Sequence, residues 1–258
     1  MTLDFEPRAL TAGRMLVHTE AAEKEYRKVA LKFIDALFQE FAKDSMRLFR
    51  PDIKLIDPPD QYSERTFDSV VLPALHRLCH GLVMAEYPII RSDHDVSGRI
   101  DYWCIYEGYS FIIEMKRTEC CLGYGPKKYR MVGRWRLMCD QLESTEDDVN
   151  VFEEHTEGVI PIGLHFVTAK GSADRWDYHG QRMMELCKDT LQEYADAISK
   201  PHTVDGQVRI HKPSYVAGWI IPQKARRLGE NETYPFVMLF GKVNPRIPHK
   251  GAPERRKK

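Results

Sequence analysis

Two runs rich in β-branched and aromatic residues, 100–106 and 109–115, meet across the dipeptide Glu107-Gly108. Such runs favour strands. A two-residue connection containing Gly, which takes positive φ freely, favours a tight hairpin turn. Side chains on a strand alternate faces. Asp101, Trp103 and Ile105 therefore share one face of the first strand. Ile112, Glu114 and Lys116 share one face of the second, while Phe111, Ile113 and Met115 take the other. Any fold of this chain must place an Asp, a Glu and a Lys at the ends of two neighbouring, mostly apolar strands.

That placement is chemically unusual. Burying Glu and Lys costs several kcal/mol unless they are paired or bind something. Two carboxylates and a nearby backbone carbonyl suit Mg²⁺ or Mn²⁺, which prefer oxygen ligands. Such an ion lowers the pKa of a bound water and offsets charge on a phosphate. A lysine beside it can orient the water or stabilise the charge that develops. The plainer reading is a strand end where Glu114 and Lys116 pair at a solvated tip.

The segment Gly98-Arg99-Ile100-Asp101-Tyr102, followed by Phe111-Ile112-Ile113-Glu114-Met115-Lys116, resembles the PD-(D/E)XK nuclease superfamily, with its restriction-endonuclease-like fold. The resemblance is one of motif and spans roughly residues 60–170. It implies an α/β restriction-endonuclease-like core, with a mixed central sheet flanked by helices. It also implies a Mg²⁺-dependent (or Mn²⁺-dependent) nuclease that hydrolyses DNA phosphodiesters, with RNA as the second candidate substrate. On that reading Asp101, Glu114 and the Met115 carbonyl are metal ligands, and Lys116 is the catalytic lysine. Restriction, antiviral defence in phage–host conflict, and repair are the roles that family analogy suggests. The alternative is a catalytically silent module of the same fold that binds nucleic acid or a protein partner.

The remaining chain frames this stretch. Lys plus Arg equal Asp plus Glu at 38 each, so any phosphate-binding patch must be local. No basic-then-apolar leader and no apolar run of about 18 residues is present, so no membrane partner is expected. Six cysteines without a Cys-x-x-Cys pair suggest reduced thiols and a cytoplasmic protein. Residues 1–17 read as irregular. From Thr19 as N-cap, apolar residues at helical spacing (Tyr26, Phe33, Phe38 and Phe41 among them) predict a long helix ending before Pro51. Its Phe stripe is core or a dimer surface, and residues 1–60 form an N-terminal helical extension of the nuclease-like core, 61–241.

Ser63 caps a second predicted helix, which runs to about Leu82. Nuclease relatives place a Glu at the start of this helix, and Glu64 matches, with Asp68 as the substitute. Both also simply complement the helix dipole. A strand over 84–90 offers Glu86 as a further acid. Residues 118–128 read as a loop beside the site. A helix over 129–142 follows and carries Arg130, Arg134 and Gln141. With Lys127 and Lys128 these are the candidate nucleic-acid contacts; the plainer reading is a crossover helix with solvated arginines. The run 159–168 predicts the next, buried strand, joined by a right-handed crossover. A helix over 177–200 and strands over 215–222 and 233–240 complete the pattern. The tail 242–258, with seven Lys or Arg, reads as disordered.

Overall fold

A computed structural model describes residues 2–48, 64–91, 96–125, 130–144, 156–176, 178–204, 206–222, 227–228 and 231–247. The chain folds around one mixed β-sheet with helices on both faces. In order, the elements are β1 (Glu6–Leu10), β2 (Gly13–Thr19), α1 (Glu25–Leu48), α2 (Glu64–Leu78), β3 (Val83–Arg91), β4 (Val96–Tyr106), β5 (Tyr109–Cys121), α3 (Met131–Glu143) and β6 (Val159–Ser172). Then follow α4 (Ala173–Trp176), α5 (Gly180–Ile198), β7 (His202–Val204), β8 (Gln207–Arg209), β9 (Tyr215–Ile220), β10 (Arg227–Leu228), β11 (Glu232–Thr233) and β12 (Phe236–Val243).

The central hairpin forms as its sequence predicts. Glu107 (φ 46°) and Gly108 (φ 79°) both take positive φ, the signature of a type I′ turn that matches strand twist. The sheet runs β1-β2-β9-β12-β6-β5-β4-β3. β5 and β6 pair in parallel, and the intervening α3 crosses over the sheet between them, as the buried run 159–168 requires. The other neighbours along this path pair antiparallel.

Alternation divides the core into two layers. Phe111, Ile113 and Met115 join Phe33, Phe38 and Phe41 of α1 and Phe67 of α2 on one face. Cys120, Val167, Val216 and Met238 join Trp135 of α3 and Leu191 of α5 on the other. Gly163 allows the close approach of α3, since a Cβ there would stand 2.7 Å from the Met138 methyl.

Several expectations change. Residues 6–10 and 13–19 are a β-hairpin, not irregular, and β2 pairs with β9 in the main sheet. Thr19 therefore ends a strand instead of capping a helix, and α1 starts at Glu25. The Phe stripe of α1 is fully buried in the core, so it is no dimer face. α1 and the β1–β2 hairpin share one sheet and one core with the strands beyond residue 61. β5 continues through residues 118–121 where a loop was expected, because β6 pairs with it to Cys121↔Lys170. β12 carries the chain past residue 242, and Ile247 bridges to Val159. The remainder of the tail, from 248, lies outside the described residues. Cysteines 79, 104, 120, 121, 139 and 187 are free thiols. Among the described residues no helix is long and apolar enough to cross a membrane.

Candidate functional site

The hairpin strands do not stay together. β4 pairs with β5 only as far as Tyr102↔Ile113. Its pairing with β3 runs on to Arg91↔Val96, and β5 runs on with β6. The sheet therefore forks at Asp101 and Glu114. At the fork Asp101 Oδ2 accepts a hydrogen bond of 2.5 Å from the Met115 N–H. The N–H and C=O of one extended residue point to the same side of a strand. The Met115 carbonyl is thus aimed into the same gap.

Alternation places Glu114 and Lys116 together on the α3 face of β5. Lys116 Nζ donates to Glu114 Oε1 at 2.8 Å and stands 3.9 Å from Asp101 Oδ2. The Glu114 and Lys116 side chains are 5% and 11% exposed, whereas Asp101 is 35% exposed. Two carboxylates thus converge on one cation, which is buried on the Glu114 side and nearer solvent on the Asp101 side. A buried pair of this kind adds little net stability over an apolar one. The same donor set, two carboxylates plus a carbonyl, is what Mg²⁺ or Mn²⁺ prefers. The residues fit such an ion.

Behind Lys116 lies His165, its register partner on β6. The ring is fully buried. Its Nε2 stands 3.0 Å from Thr118 Oγ1, and Trp135 stacks on it at 6.4 Å between centroids. Burial, then the charges of Arg134 and Lys116, push its pKa down from 6.5 to about 3. The neutral ring keeps a second cation away from Lys116. A histidine depressed this way favours folding only while it is neutral in the unfolded chain as well. Stability is therefore complete above pH 6.5 and falls as pH drops below it. Between pH 6.5 and about pH 5 the loss from this group is about 2 kcal/mol. Urea unfolding across this range should show that slope, and His165→Gln should flatten it.

The flanking elements supply the other expected residues unevenly. Glu64 is the first residue of α2; its side chain lies outside the described residues, as do Lys127 and Lys128 entirely. Asp68 accepts a hydrogen bond from the Tyr102 hydroxyl, and Arg117 lies 6.0 Å over the Phe67 ring, so this part of α2 lies close to both sides of the fork. Asp68 is engaged by Tyr102 on the opposite face of the sheet from Glu114. Glu86, the other proposed acid, is exposed and ion-paired with Arg99 at 2.6 Å.

On α3, at 100° per residue, Arg130, Arg134, Leu137 and Gln141 fall on one flank of the buried face. Arg130 and Arg134 are exposed and Gln141 is half-buried. Asp140 and Glu143 fall on the other flank, where Arg209 of β8 reaches them at 3.1 and 3.0 Å. The expected basic stripe is therefore turned away from β7–β8, and Arg134 lies near enough to bear on His165.

Asp140, His202 and His211 form a second cluster of metal-ligating side chains. The expected ligand set did not include it. The three stand far apart in sequence, and no short spacing joins them. The one available signal was the pair of histidines, His202 and His211, nine residues apart on either side of the β7–β8 hairpin. No protein-family model, curated protein or solved structure matches the chain.

Proposed function

We propose that this chain is a metal-dependent phosphodiesterase of the PD-(D/E)XK kind, acting on DNA. The observation that carries the proposal is the fork. The sheet opens at the two acids and the lysine of the motif, and the ammonium of Lys116 lies 2.8 Å from the Glu114 carboxylate and 3.9 Å from that of Asp101.

Asp101 and Glu114 would hold Mg²⁺ or Mn²⁺, with the Met115 carbonyl beside them. Such an ion, when bound, acidifies a coordinated water and offsets phosphate charge. The protein's own groups do the rest. The Met115 N–H fixes the Asp101 carboxylate. Lys116, which donates to Glu114 in the free chain, would then be available to the attacking water or to a non-bridging phosphate oxygen. A preformed cation in a dry site stabilises charge there far better than water can. Among the described residues β5 has no strand partner on the β4 side beyond Ile113, and the substrate strand would approach the site there. Arg130 and Arg134, both exposed, would hold the nucleic-acid backbone, a contact that positions the strand without reading sequence.

Cleavage of supercoiled, linear and single-stranded DNA, with RNA alongside, in Mg²⁺ and in Mn²⁺, tests the proposal. Expected is DNA cleavage that chelation abolishes and that Glu114→Ala removes with the circular dichroism spectrum unchanged. Cleavage of RNA alone would move the substrate class. Cleavage of none of these substrates would point to the silent-module reading, and cleavage that survives Glu114→Ala would place the chemistry elsewhere.

A further inference from the structure

The second cluster stands apart from the proposed nuclease site. Asp140 sits on the far flank of α3, His202 opens β7, and His211 lies between β8 and β9. One ligand atom from each lies within 4.8 Å of the others. His211 Nε2 is 3.5 Å from Asp140 Oδ1, and its Nδ1 is 3.4 Å from Glu143 Oε1. The two imidazole centroids are 5.1 Å apart. His211 is held from the other side, where its carbonyl accepts a 2.9 Å hydrogen bond from Trp135 Nε1.

Both ring nitrogens of His202, and Nε2 of His211, are buried and have no hydrogen-bond partner among the described residues. One buried unsatisfied polar atom costs about 1–3 kcal/mol; one such nitrogen from each ring, close to an Asp140 oxygen, calls for a ligand.

We infer that Asp140, His202 and His211 bind one divalent transition metal of the zinc class, which fastens the β7–β8 hairpin to α3. Two imidazoles and one carboxylate suit zinc and not Mg²⁺. Tetrahedral zinc holds its ligands about 3.3 Å apart, so the Asp140–His211 pair is already near that spacing. His202, on a small two-stranded sheet separate from the main one, closes the rest. Three protein ligands leave the fourth position to water. Glu143 is a positioning residue. Its carboxylate, 3.4 Å from Nδ1, would accept the Nδ1–H of His211 and so fix Nε2 as the ligand, the carboxylate–histidine–metal arrangement common around bound zinc. Arg209 now bonds both acids; with metal bound it stays on Glu143 and leaves Asp140.

Calorimetric titration of Zn²⁺ into the tag-free, chelator-stripped chain, with excess Mg²⁺ present to occupy carboxylate sites, tests this. Expected is one Zn²⁺ per chain and a raised melting temperature. His202→Gln should abolish stoichiometric binding, Glu143→Gln should weaken it by about 10–100-fold, and Asp101→Asn should leave it unchanged. Co²⁺ added to the unmodified chain should give the strong visible absorption of a four- or five-coordinate site. The inference is overturned if no stoichiometric Zn²⁺ binds, if His202→Gln binds as well as the parent, if Asp101→Asn alone removes binding, or if the Co²⁺ spectrum is that of the hydrated ion.

Discussion

Lys116→Ala should lower metal-dependent cleavage by about 10²–10³-fold, the usual cost of losing one preorganised charge-stabilising donor. The loss should fall on kcat, with KM little changed, because the ammonium acts on the reacting atoms and not on the length of strand bound. Lys116→Arg should not restore the rate. A planar, forked guanidinium cannot replace a compact ammonium at a position this buried. If Lys116 served only to neutralise Glu114, the outcome would differ. Alanine would then leave a buried carboxylate alone and lower stability, and any remaining activity would show wild-type turnover per folded molecule. Single-turnover cleavage beside urea unfolding separates the two.

Phe41→Ala should reduce folding stability by about 3–5 kcal/mol, the range for truncating a buried aromatic. Phe41 joins four elements at one point. Its ring stands 6.0 Å from Phe38, 4.9 Å from Phe67 of α2, 5.0 Å from Phe166 of β6 and 6.2 Å from Trp219 of β9. Few of these neighbours can collapse into the space, since each is fixed by its own strand or helix. Urea unfolding of the variant measures the cost. A dimer-face role for the same residue would give a small stability change and a shift in sedimentation instead.

The central hairpin was legible because local signals agree with the global fold there: a Gly-containing turn, β-rich runs and strict alternation. The convergence of Glu114 and Lys116 on one face follows from that alternation alone. The fork at Asp101 was not legible, because where a strand leaves its partner depends on the register of β3 and β6, which no local pattern encodes. The β1–β2 hairpin was hidden by short strands and by Pro7, which an edge strand tolerates. The continuation of β5 through Thr118 and Glu119 is a tertiary effect of pairing with β6. The Asp140–His202–His211 cluster joins a helix to a distant hairpin, so only folding brings it together.

Mn²⁺ titration followed by electron paramagnetic resonance, on the parent chain and on Asp101→Asn and Glu114→Gln, goes straight to the fork. One Mn²⁺ should bind per chain at that site. Each substitution should weaken it by at least about tenfold, and His202→Gln should leave it in place. Absence of bound Mn²⁺ in the parent, or binding indifferent to both carboxylates, would mean that Asp101 and Glu114 merely balance Lys116 and that the fork holds no metal.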